Sequence, residues 1–118
     1  MMRWLALVGL AVLLTACGTA RRGIPVAGPM EIPSEQVAVG ERVFMKNCNS
    51  CHPRGEGGVG PAINNKPLPG FLIAFQVRHG LGAMPDFDEE QISDHELDAV
   101  VAYLKYLRSR EPVRGIPD

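Results

Sequence analysis

The 118-residue chain is 46% hydrophobic and carries 12 Lys/Arg against 13 Asp/Glu, a formal net charge of −1. That length holds one small domain rather than two, and the charge balance excludes a nucleic-acid binder held by phosphate contacts. With 13 Gly, 10 Pro and 6% aromatic residues, the chain predicts many turns around a thin core, and domains this short need a staple such as disulfides, a metal or a cofactor.

Met1-Met2-Arg3 is a short, positively charged start, and Trp4 to Leu14 is an apolar run of eleven residues. A helix of that length, at ~1.5 Å per residue, falls well short of a ~30 Å hydrocarbon core. Residues 1–16 therefore read as an export signal rather than a retained span. The run ends Leu14-Thr15-Ala16-Cys17-Gly18, which resembles the lipobox of bacterial lipoprotein signals. The resemblance implies lipidation of Cys17 and anchoring to a bacterial membrane, with the domain in the periplasm or outside the cell. Ordinary cleavage, the alternative, leaves Cys17 as a stray thiol. Residues 18–33 hold three Gly and three Pro without periodicity and read, with Cys17, as a tether reaching up to ~50 Å.

The domain is expected over residues 34–118. Ser34 caps a helix from about Glu35 to Asn47, with Val37, Gly40, Val43 and Phe44 on one face. A second helix runs from about Gly70 to His79, with Phe71, Ile73, Phe75 and Val77 inside and Gly80 as its stop. Ser93-Asp94-His95-Glu96 is a capping box, followed by Leu97, Val100, Val101, Leu104 and Leu107 at helical spacing. No convincing strand appears, so the fold class is all-α with long loops.

The first helix ends in Cys48-Asn49-Ser50-Cys51-His52. Separations of three and four place both cysteines and His52 on one face of near-helical backbone. Two thiols can then bond the vinyl groups of a haem while the imidazole reaches its iron, the attachment pattern of a c-type haem. A structural zinc site needs more ligands, and only His79 and His95 remain. A thioredoxin-like pair wants a βαβ context, and a disulfide leaves His52 without a task.

Over about residues 34–109 the sequence is similar to the small monohaem class I cytochromes c. The resemblance implies three main helices and long loops around one covalently bound haem c. It implies that the Pro61 carbonyl of Gly60-Pro61 accepts the Nδ1–H of His52, freeing Nε2 for iron. It also implies a close crossing of the first and last helices, built from Gly40, Phe44, Val100 and Tyr103. Gly82-Ala83-Met84-Pro85 resembles the family's distal loop, in which the methionine sulfur is the second axial ligand. Independently, Pro85 biases Met84 to extended backbone, and thirty-two residues separate it from His52. A core methionine, as Met45 is taken to be, is the plainer reading of Met84. His79 is the rival ligand, and an open sixth site is the third alternative.

Asp86, Asp88, Glu89, Glu90, Asp94, Glu96 and Asp98 form an acidic stretch with no Lys or Arg. It reads as a solvated helix N-terminus or as a docking patch for a basic redox partner. The expected function is a membrane-tethered single-electron carrier that performs no bond chemistry and takes no small-molecule substrate. The alternatives are a haem subunit of a periplasmic dehydrogenase or oxidase, and a haem-based ligand sensor with an exchangeable sixth ligand. Lipid takes one cysteine and haem two, so no disulfide is expected.

Overall fold

The computed structural model describes residues 30–110. The signal segment, Cys17, most of the tether and residues 111–118 lie outside the described residues. Among the described residues there are three α-helices and no strand beyond a single Leu81–Met84 bridge: α1 (Glu35–Asn47), α2 (Gly70–His79) and α3 (Asp94–Ser109). The all-α class read from the sequence is the class observed.

Local chemistry sets the helix ends. The Ser34 hydroxyl accepts the Val37 N–H at 3.3 Å, and Glu35 and Lys46 lie at the ends that the helix dipole favours. At α3 the capping box is complete. Ser93 Oγ accepts the Glu96 N–H at 3.3 Å, and the Glu96 carboxylate accepts the Ser93 N–H at 2.9 Å. That backbone hydrogen bond, then the Ser93 hydroxyl, holds the Glu96 carboxyl below its ordinary range. α2 has no side-chain cap at its Pro69 end and stops at Gly80, whose φ of 65° favours glycine.

α1 and α3 form the scaffold. A Cβ on Gly40 would lie 2.0 Å from the Ala99 carbonyl oxygen, so the two backbones meet where no side chain fits. One turn on, Phe44 and Tyr103 pack with ring centroids 5.3 Å apart at 52°. Val37, Val43, Val100, Leu104 and Leu107 close the core around them. Burial pushes the Tyr103 phenol up to about 12, so it stays neutral near neutral pH. Met30 and Ile32 pack against this core, and the Tyr106 hydroxyl donates to the Glu31 carbonyl, so the end of the linker lies on the domain.

Two expectations about side chains are corrected. Of the four α2 residues assigned to the interior, Val77 is buried and Ile73 is half-buried, but Phe71 and Phe75 are 71% and 58% exposed. Alternation by two is a strand pattern; on a helix Ile73 and Val77 share one face while Phe71 and Phe75 share the next. Met45, taken as a core residue, is 45% exposed, because the adjacent Phe44 already fills the seam with α3.

The loops on either side of α2 are held by arginines. Arg108 Nη1 donates to the carbonyls of Lys66 and Leu68 at 2.7 and 3.0 Å, and Arg78 does the same for the loop after α2. Irregular backbone has unpaired carbonyls, and these guanidinium groups supply their donors.

Phe44 has no solvent exposure. Phe44→Ala is expected to lower stability by about 3–5 kcal/mol through lost burial and a residual cavity, checked by denaturant unfolding. A loss under about 1 kcal/mol would mean that the α1–α3 seam closes over the gap.

Candidate functional site

The site begins where α1 ends. The Cys48 and Asn49 N–H groups both donate to the Phe44 carbonyl, at 2.8 and 3.0 Å. Cys51 and His52 then donate to the Cys48 carbonyl at 3.1 and 2.9 Å. This extra turn brings Cys48, Cys51 and His52 together. The chain leaves it through a 3-10 turn, Pro53–Gly55, in which Arg54 adopts a left-handed φ of 52°. The Asn49 side chain accepts the Arg54 N–H at 2.8 Å and stabilises that conformation.

Both thiols are free. Burial, and then the neighbouring Cys51, push the Cys48 thiol up to about 11. His52 is buried, and its Nδ1 lies 2.8 Å from the Pro61 carbonyl oxygen. A carbonyl only accepts, so Nδ1 carries a proton, and in the neutral imidazole Nε2 then keeps its lone pair. The Gly60 N–H donates to the Cys51 carbonyl at 2.9 Å. A Cβ on Gly60 would sit 2.3 Å from His52 Cε1, so this position must lack a side chain for the ring to lie where it does. The Gly60-Pro61 pair thus orients the imidazole from two sides.

Met84 belongs to a separate group. It pairs with Leu81 through both backbone hydrogen bonds, at 3.0 and 3.2 Å, across a tight turn. Its side chain is half-buried, and its sulfur accepts a long contact from Gln76 Nε2 at 3.9 Å. His79, the rival ligand, is an exposed side chain. Its Nδ1 lies 2.8 Å from the Phe75 carbonyl, and its ring stacks on Phe75 at 4.0 Å. His95 is exposed on the first turn of α3.

Gln76 and Asn49 were not singled out from sequence. Gln76 carried a usable signal as the lone polar side chain between Phe71 and Val77. In the acidic stretch, three carboxylates have internal tasks. Asp88 accepts the Glu90 and Gln91 N–H groups, Asp94 pairs with Arg78, and Glu96 completes the α3 cap. Asp86, Glu89, Glu90 and Asp98 are exposed.

The donor set fits a covalently attached haem. Two neighbouring thiols could form the thioethers, and a buried imidazole with a free Nε2 could ligate the iron. Among the described residues no group of three or more His, Cys, Asp or Glu is arranged to hold a metal ion by itself.

Residues 35–104 match the model of the cytochrome c family described as "Cytochrome C oxidase, cbb3-type, subunit III". The chain belongs to this family. It is 35% identical over 85 residues to the cytochrome c subunit of 4-cresol dehydrogenase [hydroxylating] from Pseudomonas putida, covering 72% of this chain and 74% of that one. It is 37% identical over 76 residues to cytochrome c6 of Bryopsis maxima, covering 56% and 85%. The solved structure of cytochrome c6 from the diatom Phaeodactylum tricornutum superposes with a TM-score of 0.52 at 31% identity, covering 61% of this chain and 93% of that one. The fold is that of a small class I cytochrome c, and the protein is a haem-based electron carrier with one covalently bound haem c.

The raised Cys48 thiol sets a pH dependence for the haem-free chain. The nucleophilic thiolate forms as pH rises through the folded value of about 11, not the ordinary 9.0. Below pH 9, alkylation of Cys48 in the folded haem-free chain is expected to run roughly a hundredfold slower than in the unfolded chain. Mass spectrometry of iodoacetamide-treated protein checks this. Equal rates in the two states would contradict it.

Proposed function

We propose that this protein is a membrane-tethered single-electron carrier whose haem is attached through Cys48 and Cys51 and ligated by His52 and Met84. The observation that carries the reading is the hydrogen bond from His52 Nδ1 to the Pro61 carbonyl, beside the two thiols. It leaves one imidazole nitrogen free and fixes the ring before any metal arrives.

The iron of the bound haem would take up and release one electron. His52 supplies a strong nitrogen donor, oriented by Pro61 and by the close approach of Gly60. Met84 supplies a soft neutral sulfur, which favours the ferrous state and raises the reduction potential relative to a second histidine. Pairing with Leu81 holds the Met84 backbone, and Gln76 adds a polar contact at the sulfur. Two protein ligands that stay in place require little rearrangement on electron transfer. With Cys48 and Cys51 in thioethers and His52 and Met84 on the iron, none of this set stays free as a general acid, base or nucleophile, so the chain itself would perform no bond chemistry. Its partners are the redox proteins that donate and accept the electron. The Pseudomonas putida relative, a dehydrogenase subunit, supports a second reading in which this carrier serves one fixed enzyme.

With intact His/Met ligation, the ferric protein is expected to show the far-red iron–sulfur charge-transfer band, and the ferrous protein to bind carbon monoxide poorly. Met84→Ala removes the band and opens the site to carbon monoxide. A wild type without the band, or one that binds carbon monoxide readily, would instead support a sensor with an exchangeable sixth ligand.

The domain organisation of this proposal is a signal over residues 1–16, a lipid-anchored Cys17 with a tether to residue 33, and the cytochrome domain over 34–118. It rests on the Leu14-Thr15-Ala16-Cys17 pattern. Export leaves the domain in the periplasm or outside the cell. Cys17→Ala is expected to move the protein from the membrane to the soluble fraction and abolish incorporation of labelled fatty acid. Unlabelled wild-type protein in the soluble fraction would refute the anchor.

A further inference from the structure

Arg78, in the last turn of α2, makes four side-chain hydrogen bonds. Its Nη1 lies 3.0 Å from the Phe87 carbonyl, 3.1 Å from that of Asp88 and 2.6 Å from that of Ile92. Its Nη2 lies 2.7 Å from Asp94 Oδ1, on the first residue of α3. The Arg78 side chain is 18% exposed and that of Asp94 is 78%. An ion pair so open on one side is worth little by itself. The carbonyls are different: the two hydrogens of Nη1 are shared among three oxygens, of which that of Asp88 also accepts the Ile92 N–H at 3.0 Å, so those of Phe87 and Ile92 depend most on the permanently charged guanidinium.

These partners lie immediately downstream of Met84-Pro85. Phe87 is also held through its own N–H, which donates to the Val77 carbonyl at 3.0 Å, one residue before Arg78. Upstream, Leu81 pairs with Met84 across the turn. The loop is thus fastened on both sides of the methionine, downstream by the Phe87 N–H and by one side chain, Arg78. Removing that side chain leaves the Phe87 and Ile92 carbonyls to water or to new partners, and leaves the Phe87 N–H bond to Val77 to hold this segment against α2.

We infer that Arg78 is a positioning residue for Met84, holding the loop in the one arrangement that keeps the methionine sulfur available as the sixth ligand. The inference rests on the His52/Met84 ligation proposed above. A thioether is a weak, neutral ligand, so its occupancy depends on how firmly the protein presents it. A brace acting only on the fold would change melting without touching the ligand. A positioning residue changes the ligand while the helices persist.

The test uses haem-loaded protein carrying Arg78→Met, the milder Arg78→Gln, or the charge-retaining Arg78→Lys, with Met84→Ala as reference. Helical content and melting are recorded beside the far-red ferric band and the rate of carbon monoxide binding to the ferrous form. In Arg78→Met the band is expected to weaken or vanish, and carbon monoxide to bind roughly tenfold faster or more, with helical content retained. Arg78→Lys, whose ammonium can still serve the carbonyls, is expected to lie closest to wild type. Should Arg78→Met fail to take up haem, Arg78→Gln carries the same expectation. A wild-type band that survives at full intensity in the tested variant, with unchanged carbon monoxide binding, would overturn the inference and leave the ligand assignment standing. A wild type without the band, or a Met84→Ala that keeps it, would overturn the assignment and this inference together.

Discussion

Gly40 lies against the carbonyl of Ala99 with no room for a side chain between them, and most of the molecule is organised around that contact. It lets α1 and α3 approach backbone to backbone, which places Phe44 against Tyr103 one turn further along. Phe44 then links packing to chemistry. Its side chain is the centre of the seam, while its carbonyl receives the N–H groups of Cys48 and Asn49 that carry the chain into the next turn. The position of the two thiols and His52 therefore follows from how closely two helices meet.

Apart from α2, the rest of the described chain is loop, and it is held by charged side chains rather than by sheet. Arg108 serves the carbonyls before α2, and Arg78 those after it. Asp88 satisfies two N–H groups of its own turn. Backbone outside helices and strands must find partners somewhere, and a thin core leaves few buried ones. The consequence for function is that the segment bearing Met84 depends on polar contacts that single substitutions can remove. His52, by contrast, is buried between the α1 terminus and Gly60-Pro61.

The surroundings of His52 and of Met84 therefore differ in rigidity. On the histidine side, Gly60 and the Pro61 carbonyl leave the imidazole one orientation. On the methionine side, a four-residue turn, one glutamine and one arginine share the task. For an electron carrier of this family, rigid ligation keeps the reorganisation on electron transfer small.

Much of this was legible in the sequence because it is local. The helix limits follow from Ser34, Gly80 and the Ser93–Glu96 capping box, whose partners lie within four residues of one another. The spacing of Cys48, Cys51 and His52 was readable for the same reason, since a single turn brings them together. The Gly60-Pro61 contact with His52 came only through the family resemblance, because its spacing of nine residues crosses an irregular loop. What tertiary structure alone decided was which way side chains point when several apolar ones compete. Phe71, Phe75 and Met45 are exposed because Ile73, Val77 and Phe44 already occupy the inward faces. The task of Arg78 was likewise invisible, since three of its four partners are backbone carbonyls nine to fourteen residues away and carry no residue signature. Sequence determined the chemistry of the attachment turn and the ends of the helices, which depend on neighbours along the chain. Tertiary structure decided what holds the methionine loop in place, because that depends on which backbone the fold leaves without a partner.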